Sequence, residues 1–523
     1  MTTVHEMANA RTDQSLPPAD SPASKRIRWL ILLTVSGALA LVVIDMTVLY
    51  TALPSLTHEL GATASEKLWI VMAYGLVVAG LLPGFGSLGD RVGHKRTFVA
   101  GLIVFGLASV VAAYSPTATI LVGGRVLLAI GAALMMPATL SIIRITFSDD
   151  HERALAIAIW GAVASSGAAV GPLVGGVLLE YFWWGSVFLI NVPLVVLALA
   201  AGLLLIPAPR DRAERDWDLL GSVQVMAGLI GFAYVVEELG SRQSSYVVLA
   251  GTAVATAIVL TAFVRRQLRL EDPLLDFTLF RNIEFTLSVI TAIVASLAIA
   301  GTELAISQRL QLVLGYSPLQ AALYILPAPL GAFIGGPLAS LMLRRVGAAT
   351  TMSGALLIAG IGAAGYLLCY NASLALQLIC ISINGLGLGA SIAAASNAVM
   401  NLAPEGREGM AASIEEVSFE LGGTIGISIF GSILSGVYTA FMVLPGGLGI
   451  PSAARDSIDE ALIAAERLPT ELAAIVTSHA HRAFDQAFLT VVCVAMLVLL
   501  GTAFLVRPRA ERTTSTEARQ HVH

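Results

Sequence analysis

The stretch Gly86-Ser87-Leu88-Gly89-Asp90-Arg91-Val92-Gly93-His94-Lys95-Arg96 decides how this chain is read. It is short, glycine-rich and basic, and apolar runs at about 68–88 and 96–114 flank it. A helix needs about 20 apolar residues to cross the hydrocarbon core, so a basic turn between two such runs marks one side of a membrane. Working outward, further runs lie at approximately 28–52, 119–141, 154–179, 184–206, 218–239, 246–264, 284–312, 318–342, 348–369, 374–400, 411–436 and 484–506. Fourteen spans are therefore expected. Runs of this length favour helices, because barrel strands are short and alternate in polarity.

Composition agrees. Of 523 residues, 56% are hydrophobic and only 12% are charged, against about 25% in soluble domains. A net charge of −5 without a basic domain gives no reason to expect a nucleic-acid partner. Residues 1–24 are polar, with Pro17, Pro18 and Pro22, and read as a disordered tail. Lys25, Arg26 and Arg28 then precede an apolar run too long for a cleavable signal peptide. If the N-terminus is cytoplasmic, only Lys67, Arg242, Arg309, Arg455, Arg467 and Arg482 fall outside, and Arg125 alone falls within a span. The rest of the 30 basic residues lie on the inner side. This bias predicts an inner-membrane protein with both termini in the cytoplasm.

The expected organisation is a cytoplasmic tail (1–27), a six-helix bundle (28–206), two linker helices (207–283), a second six-helix bundle (284–506) and a tail (507–523). The second bundle includes an outer segment, 437–483, with Pro445-Gly446-Gly447 and two amphipathic stretches near 452–467 and 470–482. That segment reads as a helical hairpin outside the membrane, either an ordered lid or a mobile loop.

Several motifs carry a resemblance. The opening stretch resembles the cytoplasmic loop motif of the major facilitator superfamily, and Leu343-Arg344-Arg345-Val346-Gly347 is its degenerate echo, as in a duplicated transporter. Gly167-Ala168-Ala169-Val170-Gly171-Pro172-Leu173-Val174-Gly175-Gly176 resembles that superfamily's antiporter motif. Small residues every fourth position let helices pack backbone to backbone, and Pro172 bends the helix. Ile44-Asp45-Met46-Thr47, Phe188-Leu189-Ile190-Asn191-Val192-Pro193 and Leu314-Gly315-Tyr316-Ser317-Pro318 resemble motifs of the fourteen-span drug:proton antiporters, and the likeness extends to methyl viologen and quaternary ammonium exporters of the SmvA-like and QacA types. The resemblance implies an all-α membrane protein of the major facilitator fold, two six-helix bundles plus two intervening helices. It also implies a conformational latch at Gly86, Asp90, Arg91, Gly93, Lys95 and Arg96, and an exporter's helix at Gly167, Gly171, Pro172, Gly175 and Gly176.

Ionisable residues at bilayer depth are costly and functional by default. Asp45 and Arg125 are both candidates for proton coupling; they sit at similar depth and could pair. Arg125 matches the arginine of the superfamily's fourth-helix motif, implicated there in proton coupling, although Leu128 and Ala129 replace the usual glutamine and glycine. Glu303 lies in the ninth span and Glu415, Glu416 and Glu420 in the thirteenth. Glu416 and Glu420, four apart, share a helix face. Carboxylates this close in a low dielectric cannot all stay charged, so at least one is expected to hold a proton that a cationic substrate could displace. Met72 stands where several quaternary ammonium pumps carry an aspartate. Tyr74, Trp160 and Phe419 could line a site for flat cations, with Tyr324 a further aromatic at helical depth.

No P-loop, HExxH, GxSxG or CxxC occurs, and Cys369, Cys380 and Cys493 lie inside apolar runs. No enzyme, ATP use, metal or cofactor is expected. The predicted function is proton-coupled efflux of lipophilic or quaternary ammonium cations by a single chain in the lipid bilayer. The alternative is an exporter of an endogenous metabolite, lipid or siderophore.

Overall fold

The computed structural model describes residues 22–207, 218–240, 245–270, 273–402, 408–443 and 452–508. Their helices are α1 (Pro22–Leu60), α2 (Ala64–Val92), α3 (His94–Ala113), α4 (Ala118–Thr146), α5 (Asp150–Tyr181), α6 (Ser186–Leu189), α7 (Asn191–Leu205), α8 (Leu219–Gly240), α9 (Tyr246–Gln267), α10 (Ile283–Gln308), α11 (Pro318–Ile325), α12 (Pro327–Cys369), α13 (Leu374–Asn401), α14 (Glu408–Phe441), α15 (Ile458–Glu466) and α16 (Thr470–Val506). No strand occurs among the described residues.

Among the described residues, thirteen helical stretches are long and apolar enough to cross a membrane. One of them, Pro318–Cys369, has 52 residues. As a straight helix it would reach about 78 Å, more than twice the hydrocarbon thickness. It breaks at Gly347, where φ is 78° and ψ 172°, and so makes two spans, fourteen in all. Gly93 does the same between α2 and α3, with φ 105°. Side chains other than glycine rarely adopt this region, so each half turns its chain back on one glycine. The 86–96 segment, expected as a loop between spans ending near 88 and beginning near 96, is therefore helical on both sides of Gly93.

An even number of spans puts Pro22 and Val506 on one face, called here the terminal face; the opposite side is the far face. Helices α1–α7 make one bundle and α10–α16 the other. Helices α8 and α9 pair, and α8 also leans on α2 and α14. The bundles meet where α2 packs on α14, α1 on α10 and α5 on α11. Large apolar side chains such as Leu33, Leu204, Val247 and Leu368 are exposed on the outside, where lipid rather than water is their natural solvent.

The far-face segment differs from the expected helical hairpin. Its second amphipathic stretch is the start of α16, continuous with the last span. Only α15 stands apart, and its Ile458, Ala461 and Ala465 pack against Val476 and Ala480 of α16. Pro445-Gly446-Gly447 and the bulk of both chain-end tails lie outside the described residues.

Candidate functional site

Two groups of buried charge in the described spans contain the predicted ionisable site residues. The first is in the N-terminal bundle. Arg125 on α4 donates through Nη1 to Asp45 Oδ2 on α1 at 2.7 Å. Asn191, the first residue of α7, donates to Asp45 Oδ1 at 2.7 Å and to Ser109 Oγ at 3.3 Å. Arg125 Nε donates to the Ile70 carbonyl at 3.2 Å, and its guanidinium lies 4.3 Å from the centre of the Tyr74 ring. Asp45 and Arg125 are sealed from solvent, with side-chain exposures of 0% and 1%. Both carboxylate oxygens are satisfied and the charge is balanced, which is what makes such burial tolerable.

The helices are cut to allow this. Ile190 separates α6 from α7, and Asn191 turns inward at the break. Gly167, Gly171 and Gly175 present one face of α5 to α1, where a Cβ at Gly171 would collide with Thr47 Oγ1 and one at Gly175 with Val48. Gly176 faces the other bundle instead, and a Cβ there would lie 2.8 Å from the Leu319 Cα. Pro172 is buried in the same helix. The small-residue run thus seats α1, which carries Asp45, and admits α11 across the interface between bundles.

The second group is acidic. Glu420 on α14 is buried, and its Oε2 has no hydrogen-bond partner. It faces α2 across Gly75, where an added Cβ would lie 3.6 Å from that oxygen. Glu416 and Glu415 lie one turn nearer the terminal face and are part-exposed. Glu420 interacts electrostatically with Glu416 and Arg125, and Tyr50 of α1 does so with both Glu303 and Glu420. Among the described residues no salt bridge reaches Glu303, Glu415, Glu416 or Glu420.

The aromatic candidates separate. Tyr74 is 1% exposed, with its ring face taken by Arg125. Trp160 is part-exposed and donates from Nε1 to Thr139 Oγ1 at 3.1 Å. Phe419 is also part-exposed, and its carbonyl accepts from Ser296 Oγ at 2.7 Å. Tyr324 bonds Gln377 and lies 3.2 Å from the Tyr366 hydroxyl. Met72 is buried and accepts from Ser428 Oγ at 2.7 Å.

At the terminal face, Gly86 and Gly93 are half-buried and Arg91 and Arg96 exposed. Asp90 lies 3.4 Å from His94. Lys95 Nζ donates to the Leu203 carbonyl at 2.8 Å, placing a cation on the C-terminal end of α7, where the helix dipole favours it.

Sequence reasoning missed three residues of these networks. Asn191 was visible as a polar residue inside an apolar motif. Arg309, assigned to an outer segment, is instead buried at the end of α10, where it donates to Asp485 Oδ1 at 2.9 Å and sits near the rings of Tyr370 and Phe488. Lys67 is likewise buried, paired with Asp459 of α15.

The sequence matches the Major Facilitator Superfamily over residues 35–427 and again over 288–522. The chain belongs to the Major Facilitator Superfamily. Its members are transporters, not enzymes. Within it, the chain is 36% identical to "Methyl viologen resistance protein SmvA" of Salmonella typhimurium strain LT2 over 87% of this chain and 93% of that one. It is also 36% identical to "Multidrug efflux pump LfrA" of Mycolicibacterium smegmatis over 91% and 95%. Among solved structures, a bacterial homolog of the human lysosomal transporter Spinster, inward-facing and unoccupied, superposes with a TM-score of 0.64 at 18% identity, covering 92% of this chain and 97% of that one. That likeness bears on the fold alone.

Proposed function

We propose that this superfamily member exports lipophilic cations in exchange for protons, with both termini in the cytoplasm and the far face outside. The observation that carries the reading is the contrast in charge pairing. Asp45 is neutralised by Arg125, whereas Glu420 holds a buried oxygen without a partner. A carboxyl group so placed can stay neutral by holding a proton or be neutralised by a cation, but not both. Proton and substrate therefore compete for Glu420, assisted by Glu416, Glu415 and Glu303, and inward proton flow drives the cation outward. Arg125, in electrostatic reach of Glu420, links that event to Asp45. Trp160 and Phe419 supply aromatic wall to the substrate path, and the Gly86–Arg96 segment works as the terminal-face latch. The methyl viologen resistance and the multidrug efflux named for the two relatives agree with this reading.

The experiment is transport in proteoliposomes. An imposed pH gradient should drive ethidium against its own gradient, and Glu420→Gln should stop it. Undiminished proton-driven movement in that variant contradicts the assignment.

A further inference from the structure

The far face carries a contact that the exchange reaction does not use. Helix α15 is fixed to the C-terminal bundle by its apolar side, where Ile458, Ala461 and Ala465 join Val476, Ala480 and Phe484 of α16. Just before it, Tyr438 of α14 donates to the Ala454 carbonyl at 3.2 Å. Its polar side reaches across to the N-terminal bundle. Asp459 pairs with Lys67 of α2 and accepts from Thr57 Oγ1 of α1 at 3.4 Å. Glu466 lies 3.1 Å from His58 Nε2, also on α1. The Lys67 and Asp459 side chains are 8% and 4% exposed.

We propose that α15 is a strap whose Lys67–Asp459 pair locks the far face shut and must part each time that face opens. The geometry leaves little choice. One partner travels with each bundle, and alternating access rocks the bundles apart on one face at a time. The same face is held by Ser307 Oγ donating to the Tyr50 carbonyl at 2.9 Å and Gln311 donating to the Thr51 carbonyl at 3.1 Å. Those are neutral bonds. The strap adds a buried ion pair, and removing either partner strands the other's charge in the closed face, so single substitutions there should shift the balance between closed and open states more than loss of a neutral bond. The inference needs a rocking transporter but not any particular cargo.

Two readouts test it. In protein whose three cysteines are replaced by serine, the exposed pair His58→Cys and Glu466→Cys is bridged with a reducible bifunctional maleimide. Ethidium efflux should stop on bridging and return on reduction. Efflux that continues after complete bridging, or cysteines that cannot be bridged, overturns the proposal. The second readout needs no substrate. Spin labels at Glu59→Cys and Glu471→Cys should report one short distance in the resting protein. Asp459→Asn and Lys67→Met should each add a longer one, and the swap Lys67→Asp with Asp459→Lys should restore the short distance. Unchanged distances in both single variants reject the lock. If unaltered protein moves no ethidium, the exchange reading fails, while the distances still decide on the strap.

Discussion

The two bundles bury acid in opposite ways. In the N-terminal bundle, Asp45 has Arg125 on one oxygen and Asn191 on the other. In the C-terminal bundle, Glu420 has a buried oxygen with no donor, and no salt bridge of the described residues reaches it or its neighbours on α14. A satisfied pair stabilises one geometry; an unsatisfied acid is available to whatever can neutralise it. Under the proposed exchange, the difference separates a paired group that holds one geometry from one left open to proton and cation.

The comparison can be broken from either side. The largest effect should come from Glu420→Gln, which removes the exchangeable charge. Proton-driven efflux should be lost, with thermal unfolding in detergent unchanged or raised, since an unpaired buried acid is no asset to the fold. Asp45→Ala should do the reverse to stability. It strands Arg125, and unfolding free energy should fall by about 3–5 kcal/mol, read as an earlier melting transition. Equal melting of these two variants would erase the distinction drawn between the bundles.

An intermediate case sits outside the membrane. Glu460 of α15 is half-buried, and burial, followed by the charges of Asp456 and Asp459, pushes its carboxyl up to about 7, opposed by the Ala64 N–H of α2. Lys67 of α2 neutralises Asp459 from the facing side. Because the folded value lies above the ordinary 4.5, protonated Glu460 contributes stability to the strap that is complete below the ordinary value. That contribution is lost as pH rises through about 7. Amide exchange in α15, corrected for intrinsic rates, should show more protection at acid than at alkaline pH, and Glu460→Gln should remove the difference. The smallest effect belongs to the terminal-face connection. Lys95→Ala loses the contact with the Leu203 carbonyl of the same bundle, about 0.3–1 kcal/mol, measurable as a slight drop in melting temperature.

Much of this was legible in the sequence, and the reasons are specific. Span positions follow from apolar length, and that Asp45 could pair with Arg125 follows from their similar depth in the first and fourth spans. The glycine run of α5 announced close helix approach, though not that Gly175 and Gly176 would face different bundles. What stayed hidden depends on long-range contact. Lys67 and Asp459 are far apart in the chain, and a basic residue at a helix start looks like an ordinary loop charge. Arg309 was assigned to an outer segment rather than to a buried helix end because its partner Asp485 enters from the last span. The break at Gly347 was expected as a loop, yet the helix runs up to it on both sides.

The central claim is that proton and cation compete at the acids of the C-terminal bundle. It is tested most directly by proton release on binding. Tetraphenylphosphonium is added to purified protein in weak buffer while pH is followed. Binding should release protons from the unaltered protein, and the triple variant Glu303→Gln, Glu416→Gln, Glu420→Gln should release none. Undiminished release from that variant would contradict the account.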